Sequence, residues 1–379
     1  MASQIPLSFP VFNGNENFYT QQAISSGHIA TSGQFIDKFE SKLSKRLHTH
    51  ETVALNSGTS ALHLGMVLLG IGLGDEVICQ SFTFCASANP IVYLGATPIF
   101  VDSEKDTWNI CPEILEDTIL SRISKGKKPK AIVIVHLFGM PAKMKEILEI
   151  SAKYQIPVLE DAAEAIGSKY QSKECGTFGT IGIFSFNGNK IITAGGGGAL
   201  ISNDMAIIQR AKLLSTQAKE DRPFYHHLEI GYNYKMNNLS AAVGLAQLEQ
   251  LDFFIKGRRL VNQRYRTLLN DFPGIEFQPE SNKSISNYWL TCILVDKEKT
   301  GFSNDQLKTA LMKKGVESRF LWKPLHMQPV FTMMPYYGGS LAERLFEEGL
   351  CLPSSADLTL QAQEMIVEVI HEELSKTFK

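Results

Sequence analysis

Between residues 52 and 203, short apolar runs rich in β-branched residues alternate with segments whose apolar positions recur at helical spacing. The runs are Thr52–Leu55, Glu76–Cys79, Thr97–Val101, Ala131–Val135, Pro157–Glu160, Ile181–Phe184 and Gly198–Ile201. Alternation of this kind predicts an α/β fold with a mostly parallel, seven-stranded sheet between helices. Ahead of it Phe35, Phe39, Leu43 and Leu47 recur every fourth residue, laying one apolar stripe along a helix that can pack on the sheet. From Asn238 a long helical stretch carries Leu239, Val243, Leu245, Leu248 and Leu251 through Phe253–Ile255, and is expected to bridge two domains. Beyond it the pattern changes to a strand at Trp289–Val295, a helix from Asn304 to Val316, and a last helix with Met365, Ile366, Val369, Ile370 and Leu374, an α+β unit. The expected division is residues 1–250, a large α/β domain that includes the N-terminal helical segment, and 251–379, a smaller α+β domain.

Composition narrows the function classes. The 37 basic and 39 acidic residues nearly cancel, so no broad basic field exists to neutralise a nucleic acid backbone or an anionic membrane. The six cysteines, at 79, 85, 111, 175, 292 and 351, form no CxxC pair and sit mostly in apolar runs, so they read as reduced thiols rather than disulfides or zinc ligands. No metal site is expected, because His226-His227 has no third ligand at metal spacing. The N-terminus, Met1-Ala-Ser-Gln-Ile-Pro6, lacks a basic region followed by an apolar stretch, and no run of about 18 apolar residues occurs; a cytoplasmic, membrane-free protein is expected.

Three segments carry candidate chemistry. In Ile181-Gly-Ile-Phe-Ser-Phe-Asn-Gly-Asn-Lys190 an apolar strand ends, a turn follows, and one amine is presented just before the glycine run Gly195–Gly198, where backbone can approach a flat ligand closely. A lysine that bonds covalently to pyridoxal phosphate needs such a place. Asn56-Ser-Gly-Thr-Ser-Ala-Leu62 follows a strand and opens a helix, so its small residues leave backbone N–H groups and a positive dipole end free for an anion; an ordinary N-cap by Ser57 or Thr59 explains the same residues. No G-x-x-x-x-G-K-[ST] loop is present, which excludes that route to a nucleoside triphosphate. Ile156-Pro-Val-Leu-Glu-Asp161-Ala-Ala-Glu164 ends a buried strand with acidic groups at the carboxyl edge of the sheet, where ligands bind. A carboxylate there suits a protonated pyridine nitrogen, whereas a helix cap is the structural alternative for Asp161.

Taken in order, these segments resemble the DegT/DnrJ/EryC1/StrS family of sugar aminotransferases, pyridoxal phosphate enzymes of fold type I. The resemblance runs from Ile29-Ala-Thr-Ser-Gly33 and Phe39-Glu40 through Ser57–Leu62, Phe82-Thr-Phe84, Glu160–Glu164, Phe184–Lys190 and Gly231-Tyr-Asn-Tyr-Lys-Met236 to Cys351-Leu-Pro353. It implies that Lys190 is the covalent anchor and moves the proton, with pyridoxamine phosphate as the alternate cofactor form, and that Asp161 holds the pyridine nitrogen. It further implies that Gly58, Thr59 and Ser185 bind the phosphate, Phe84 stacks on the ring, Glu164 faces the ring hydroxyl, and Asn233 reaches the phosphate of a neighbouring subunit, making a homodimer with shared active sites. Two positions depart from the family: Glu164 stands where many members have Gln, and Gly196 where a Thr-Gly-Glu-Gly-Gly motif has its Glu.

Lysine at 190 favours amino transfer, since relatives that dehydrate have histidine there. L-glutamate is the expected donor and UDP-2-acetamido-2,6-dideoxy-4-keto-glucose, of the bacillosamine pathway, the expected acceptor. Asn187–Thr193, Ser215–Lys219 and Arg319–His326 carry that finer likeness; Arg319 and Lys323 are candidates for the diphosphate, and Trp322 and His326 for the sugar or base, although Trp322 and Leu325 can equally pack under the small domain. A sugar 3-aminotransferase, a cyclitol aminotransferase or a regulator that binds the cofactor without turnover uses the same residues. His136, at the end of a strand, lies at the crevice edge, and the resemblance assigns it no role.

Overall fold

A computed structural model describes residues 5–49 and 51–377, the side chains of 374–377 excepted; Met1–Gln4 of the N-terminal stretch and the Leu374 side chain lie outside the described residues. Two helices, α1 (Glu16–Ser25) and α2 (Gln34–Leu47), precede an alternating run: β1 (Glu51–Leu55), α3 (Gly58–Leu68), β2 (Glu76–Gln80), β3 (Thr97–Val101), β4 (Ala131–Val135), β5 (Val158–Asp161), β6 (Ile181–Ser185) and β7 (Gly198–Ser202). The C-terminal part adds α4 (Asn238–Glu249), α5 (Leu251–Leu268), β8 (Ile275–Phe277), β9 (Thr291–Val295), β10 (Arg319–Phe320), β11 (Tyr336–Tyr337) and β12 (Gly349–Leu352). The seven expected strands all form, and β11 extends the sheet to eight in the order β1-β7-β6-β5-β4-β2-β3-β11. The mostly parallel sheet is therefore as expected: only β7 runs antiparallel to its neighbours, β1 and β6.

Strand periodicity of two explains how this sheet takes helices on both faces. In β4, Ile132 and Ile134 join a core with Leu115, Ile119, Met144 and Ile147 of the helices Pro112–Ser124 and Met144–Tyr154. Ala131 and Val133 point the other way, into the core that Leu62, Leu64 and Met66 of α3 share with Leu159 and Ile181. The stripe Phe35, Phe39, Leu43 and Leu47 is buried as expected, against Phe184, Phe186 and Ile201. Among the described residues no helix is long and apolar enough to cross a membrane.

Several boundaries differ from expectation. The stretch beginning at Asn238 is two helices, because Gln250 (φ −103°, ψ 7°) ends α4 and α5 restarts on a new axis that buries Leu251 and Phe254. The helix from Asn304 stops at Lys313, and Gly315 (φ 75°) turns the chain before Val316. Strand β9 starts at Thr291, since Tyr288 is left-handed (φ 46°) and breaks the extended run. A second sheet, β8-β9-β12-β10, is drawn wholly from residues after 251, while Ile5 forms an isolated bridge with Val316 and β11 joins the first sheet beside β3, so each part of the chain reaches across to the other.

Candidate active site

The carboxyl ends of β5 and β6, the amino end of α3 and the start of β10 converge on a cavity of about 480 Å³, within the ~300–1,000 Å³ usual for small-molecule sites. Of the residues singled out from sequence, Gly58, Thr59, Phe84, Asp161, Glu164, Ser185, Lys190, Arg319 and Trp322 all line it.

At one end lies an anion cradle. Ser57 caps α3, its Oγ accepting from Ser60 N–H at 3.0 Å while its carbonyl accepts from Ala61 N–H at 3.1 Å. The N-cap reading holds, and it leaves the N–H groups of Gly58 and Thr59 with no acceptor among the described residues and so available to an anion. Ser185, at the end of β6, lies so close that a Cβ on Gly58 would sit 2.9 Å from Ser185 Cβ and 3.2 Å from its Oγ. The Thr59 and Ser185 hydroxyls make no hydrogen bond within the described chain, so two N–H and two O–H donors converge at a helix N-terminus.

Two buried carboxyls face the lysine. Asp161 Oδ2 accepts from Ser87 Oγ at 2.7 Å, and Oδ1 from Ala163 N–H at 3.2 Å. Burial pushes its pKa above the usual carboxylate value, against the opposing pull of those two donors and of Lys190. Glu164 Oε2 accepts from Phe138 N–H at 2.7 Å, and Oε1 lies 3.3 Å from Lys190 Nζ. Burial raises this group too, with the ammonium opposing it.

Lys190 is held rather than waving. Its N–H closes the turn to Asn187 O at 3.1 Å, and the preceding carbonyl, Asn189 O, accepts from Trp289 Nε1 at 2.6 Å and Ser8 Oγ at 2.8 Å. The ammonium then sits over the Trp289 ring, 3.8 Å from its centroid. Trp289 and Trp322 both stack on Phe138, with centroids 6.4 and 5.9 Å away, and Phe84 leans on Trp322 at 5.3 Å, so the Trp289 ring beneath the amine belongs to a continuous aromatic cluster.

Other candidates lie elsewhere. Asn233 is exposed and does not line the cavity; its carbonyl accepts from Asn56 Nδ2 at 3.1 Å. Lys323 is half-buried and outside it. His326 is also outside: Nδ1 meets Ser81 Oγ at 2.6 Å, Nε2 meets Glu343 at 3.1 Å, and the ring stacks on Tyr336, which engages it in docking the segment after β10 onto the sheet. His136 is fully buried, its Nδ1 accepting from Ala142 N–H at 3.1 Å and its Nε2–H donating to Glu160 at 2.9 Å, so it fixes the fold beneath the site. Gly196 lines the cavity with open space around its Cβ direction, nothing standing nearer than Asn56 O at 3.9 Å. Sequence reasoning missed Ser87, Thr83, Phe138 and Trp289. Ser87 and Thr83 lie beside the Phe82-Thr-Phe84 motif and could have been found from it, whereas Trp289 comes from the far part of the chain and gave no local signal.

The chain matches the model of the DegT/DnrJ/EryC1/StrS aminotransferase family over residues 12–371. EpsN of Bacillus subtilis (strain 168), a pyridoxal phosphate-dependent aminotransferase by name, is 45% identical over 374 residues, covering 98% of this chain and 96% of its own. The GDP-perosamine synthase of Escherichia coli O157:H7 is 39% identical over 368 residues, 97% of this chain and 98% of its own. The crystal structure of a DegT DnrJ EryC1 StrS aminotransferase from Brucella abortus superposes with a TM-score of 0.89 at 30% identity, covering 94% of this chain and 95% of that one.

Proposed function

From the premise that the chain belongs to the DegT/DnrJ/EryC1/StrS aminotransferase family and is a pyridoxal-phosphate-dependent sugar aminotransferase, we propose that it moves an amino group from L-glutamate to UDP-2-acetamido-2,6-dideoxy-4-keto-glucose. The observation that carries the reading is the placing of Lys190 Nζ between an anion cradle whose donors are unspent and two buried carboxyls, all on one cavity. These residues fit the cofactor: Gly58, Thr59 and Ser185 would hold its phosphate, Asp161 its pyridine nitrogen, Glu164 its ring hydroxyl, and Phe84 its ring face. When bound, pyridoxal phosphate supplies an electron sink for the carbon that loses its proton.

The chain's own residues then divide the work. Lys190 Nζ, steadied by Glu164 and the Trp289 face, is the positioned base that takes a proton from the amino donor and the acid that returns it. Asp161 would stay on the ring nitrogen as a fixed anion. Trp289 and Trp322, backed by Phe138, give the cavity its apolar side next to the amine. Arg319, at the start of β10, meets the diphosphate, with Trp322 beside the sugar.

Among the described residues the only basic ones lining the cavity are Lys190 and Arg319, too few for a phosphate, a dicarboxylate donor and a diphosphate. This supports a homodimer in which an exposed Asn233 completes the neighbour's site. Within each protomer residues 1–250 act as the cofactor-binding domain and 251–379 as the smaller domain. The second reading keeps the chemistry and changes the acceptor to a GDP-linked keto-sugar; the name of the 39% identical relative favours it.

Absorbance tests both. L-glutamate should remove the visible band of the lysine-linked cofactor, and the UDP-linked keto-sugar should restore it. Restoration by a GDP-linked keto-sugar alone would replace the acceptor, and failure of glutamate to remove the band would defeat the donor.

A further inference from the structure

Asp161 sits at the end of a short relay of hydroxyls. Ser87 Oγ lies 2.7 Å from Asp161 Oδ2 and 3.0 Å from Thr83 Oγ1, and all three side chains are buried to within a few per cent. The chemistry of the groups gives the relay a direction. An ionised carboxylate only accepts, so the single Ser87 proton points to Oδ2; Ser87 Oγ is then left to accept, and the Thr83 hydroxyl must donate to it. Thr83 is itself fixed, its N–H bonded to Ser81 O at 3.1 Å where the chain leaves β2, and the Ser87 N–H is bonded to Phe84 O at 3.1 Å. The motif that presents the ring-stacking Phe84 thus also aims the relay.

The second carboxyl has no such relay. Glu164 takes a backbone N–H on Oε2 and turns Oε1 to Lys190. The titratable groups that face Asp161 are Lys190, Glu164, His136 and Cys79. His136 spends both ring nitrogens on Ala142 and Glu160 and pulls on Asp161 less than Ser87, Ala163 or Lys190 does, and the Cys79 thiol is pushed far up by burial. Burial alone drives Asp161 toward its neutral form, and the Ser87 hydroxyl is the foremost group working against it.

Resting on the assignment of Asp161 to the pyridine nitrogen, we infer that Ser87, aimed by Thr83, is a positioning residue that holds Asp161 as an acceptor-only carboxylate and so keeps the shared proton on the cofactor's ring nitrogen. If the Ser87 hydroxyl is removed, the carboxyl becomes the better base, and the proton moves from the ring nitrogen toward Asp161 Oδ2. No bond to carbon changes, and the charge of the pair is conserved.

The test is nuclear magnetic resonance of the holoenzyme loaded with cofactor labelled at the ring nitrogen, comparing wild type with Ser87→Ala, Ser87→Thr, Thr83→Val and Asp161→Asn. One charge-assisted hydrogen bond should alter the partition of the proton by roughly tenfold, which is about 1.4 kcal/mol. Ser87→Ala should move the nitrogen resonance toward the unprotonated position, Thr83→Val should move it the same way by less, and Ser87→Thr, which keeps the hydroxyl, should stay near wild type. A variant that merely loosened the fold would weaken cofactor retention without this ordering. If Asp161→Asn shifts the resonance and Ser87→Ala and Thr83→Val do not, the inference about Ser87 falls while the role of Asp161 stands. If Asp161→Asn leaves the resonance where it was, the assignment of Asp161 itself falls.

Discussion

Gly58→Ala tests whether the amino end of α3 and the end of β6 form one phosphate cradle. The added methyl would stand 2.9 Å from Ser185 Cβ, 3.2 Å from its Oγ and 3.5 Å from its Cα; the hydroxyl can rotate away, but Cβ and Cα are fixed by the backbone. Ser185 belongs to a strand hydrogen-bonded to β7, Ser185 opposite Gly198, so the strand or the helix start must shift. Overpacking of this kind costs about 1–3 kcal/mol, offset by up to ~1 kcal/mol because alanine suits a helix better than glycine. Cofactor affinity should suffer more than stability. Displacing the Ser185 hydroxyl and the Gly58 N–H strains two donors to a phosphate, each worth ~1.5–3 kcal/mol, and losing one alone weakens binding roughly 10- to 150-fold. Equilibrium dialysis of cofactor against the cofactor-free enzyme measures this, with thermal unfolding alongside. The double variant Gly58→Ala, Ser185→Gly removes the clash but not the missing hydroxyl, so it should recover stability and not affinity. Wild-type affinity in Gly58→Ala would mean that the phosphate lies elsewhere and that the close approach is helix packing alone.

Lys190→Ala should abolish the visible band and turnover while leaving thermal unfolding of the cofactor-free protein within about 1 kcal/mol of wild type, because burial already favours a neutral Glu164 that needs no ammonium beside it; retained amino transfer by the purified variant would refute the role of the amine. Glu164→Gln should flatten the pH dependence of stability in the cofactor-free enzyme. Because burial raises Glu164 in the folded state, the folded protein holds that proton longer than the unfolded chain, so its contribution to stability falls as pH rises above the ordinary glutamate value of 4.5. Urea unfolding at stepped pH should show a shallower fall in Glu164→Gln than in wild type, buried Asp161 supplying what remains, and parallel curves would contradict it. Arg258→Ala should destabilise by roughly 2–6 kcal/mol, since the buried guanidinium donates to Trp289 O at 2.6 Å and Ser354 O at 3.0 Å, and each orphaned carbonyl costs about 1–3 kcal/mol; a change under 1 kcal/mol in urea midpoint analysis would show that water takes its place.

How much of this was legible in the sequence follows from the range of the interactions. Strands such as Ala131–Val135 were readable because a fully buried parallel strand is written as an unbroken apolar run. The cradle was readable because Asn56–Leu62 carries both its strand exit and its helix start in seven adjacent residues. The two-residue strand β11 was not, because its pairing with β3 is decided by residues far away in sequence and its own Tyr336-Tyr337 has no period. The break at Gln250 was missed for a related reason: glutamine is a good helix former, and only the change in which residues are buried, from Leu248 to Leu251 and Phe254, marks the new axis.

The same reasoning explains why the two carboxyls could be found but not told apart. Asp161 and Glu164 lie three residues apart on one turn and face the same amine, so local sequence gives them equal standing. What separates them comes from elsewhere. Phe138, whose N–H holds Glu164, sits in a left-handed turn (φ 56°), a conformation that costs an ordinary residue roughly 1–2 kcal/mol. That turn is imposed by distant partners: Asn109 Oδ1 accepts from Leu137 N–H at 2.9 Å, and Gly139 O accepts from Ser168 and Ser286 hydroxyls at 2.7 and 3.0 Å. Asp161 instead takes a side-chain hydroxyl from Ser87, in the short turn Cys85–Ser87 that follows Phe84. One carboxyl is thus bound to the scaffold by a backbone N–H and left facing the lysine, while the other takes the Ser87 hydroxyl as well as a backbone N–H and is left facing the cavity. Division of labour between them is a property of the tertiary fold, and a chain that kept both acids but lost the Phe138 turn or the Ser87 relay would keep the motif and lose the distinction.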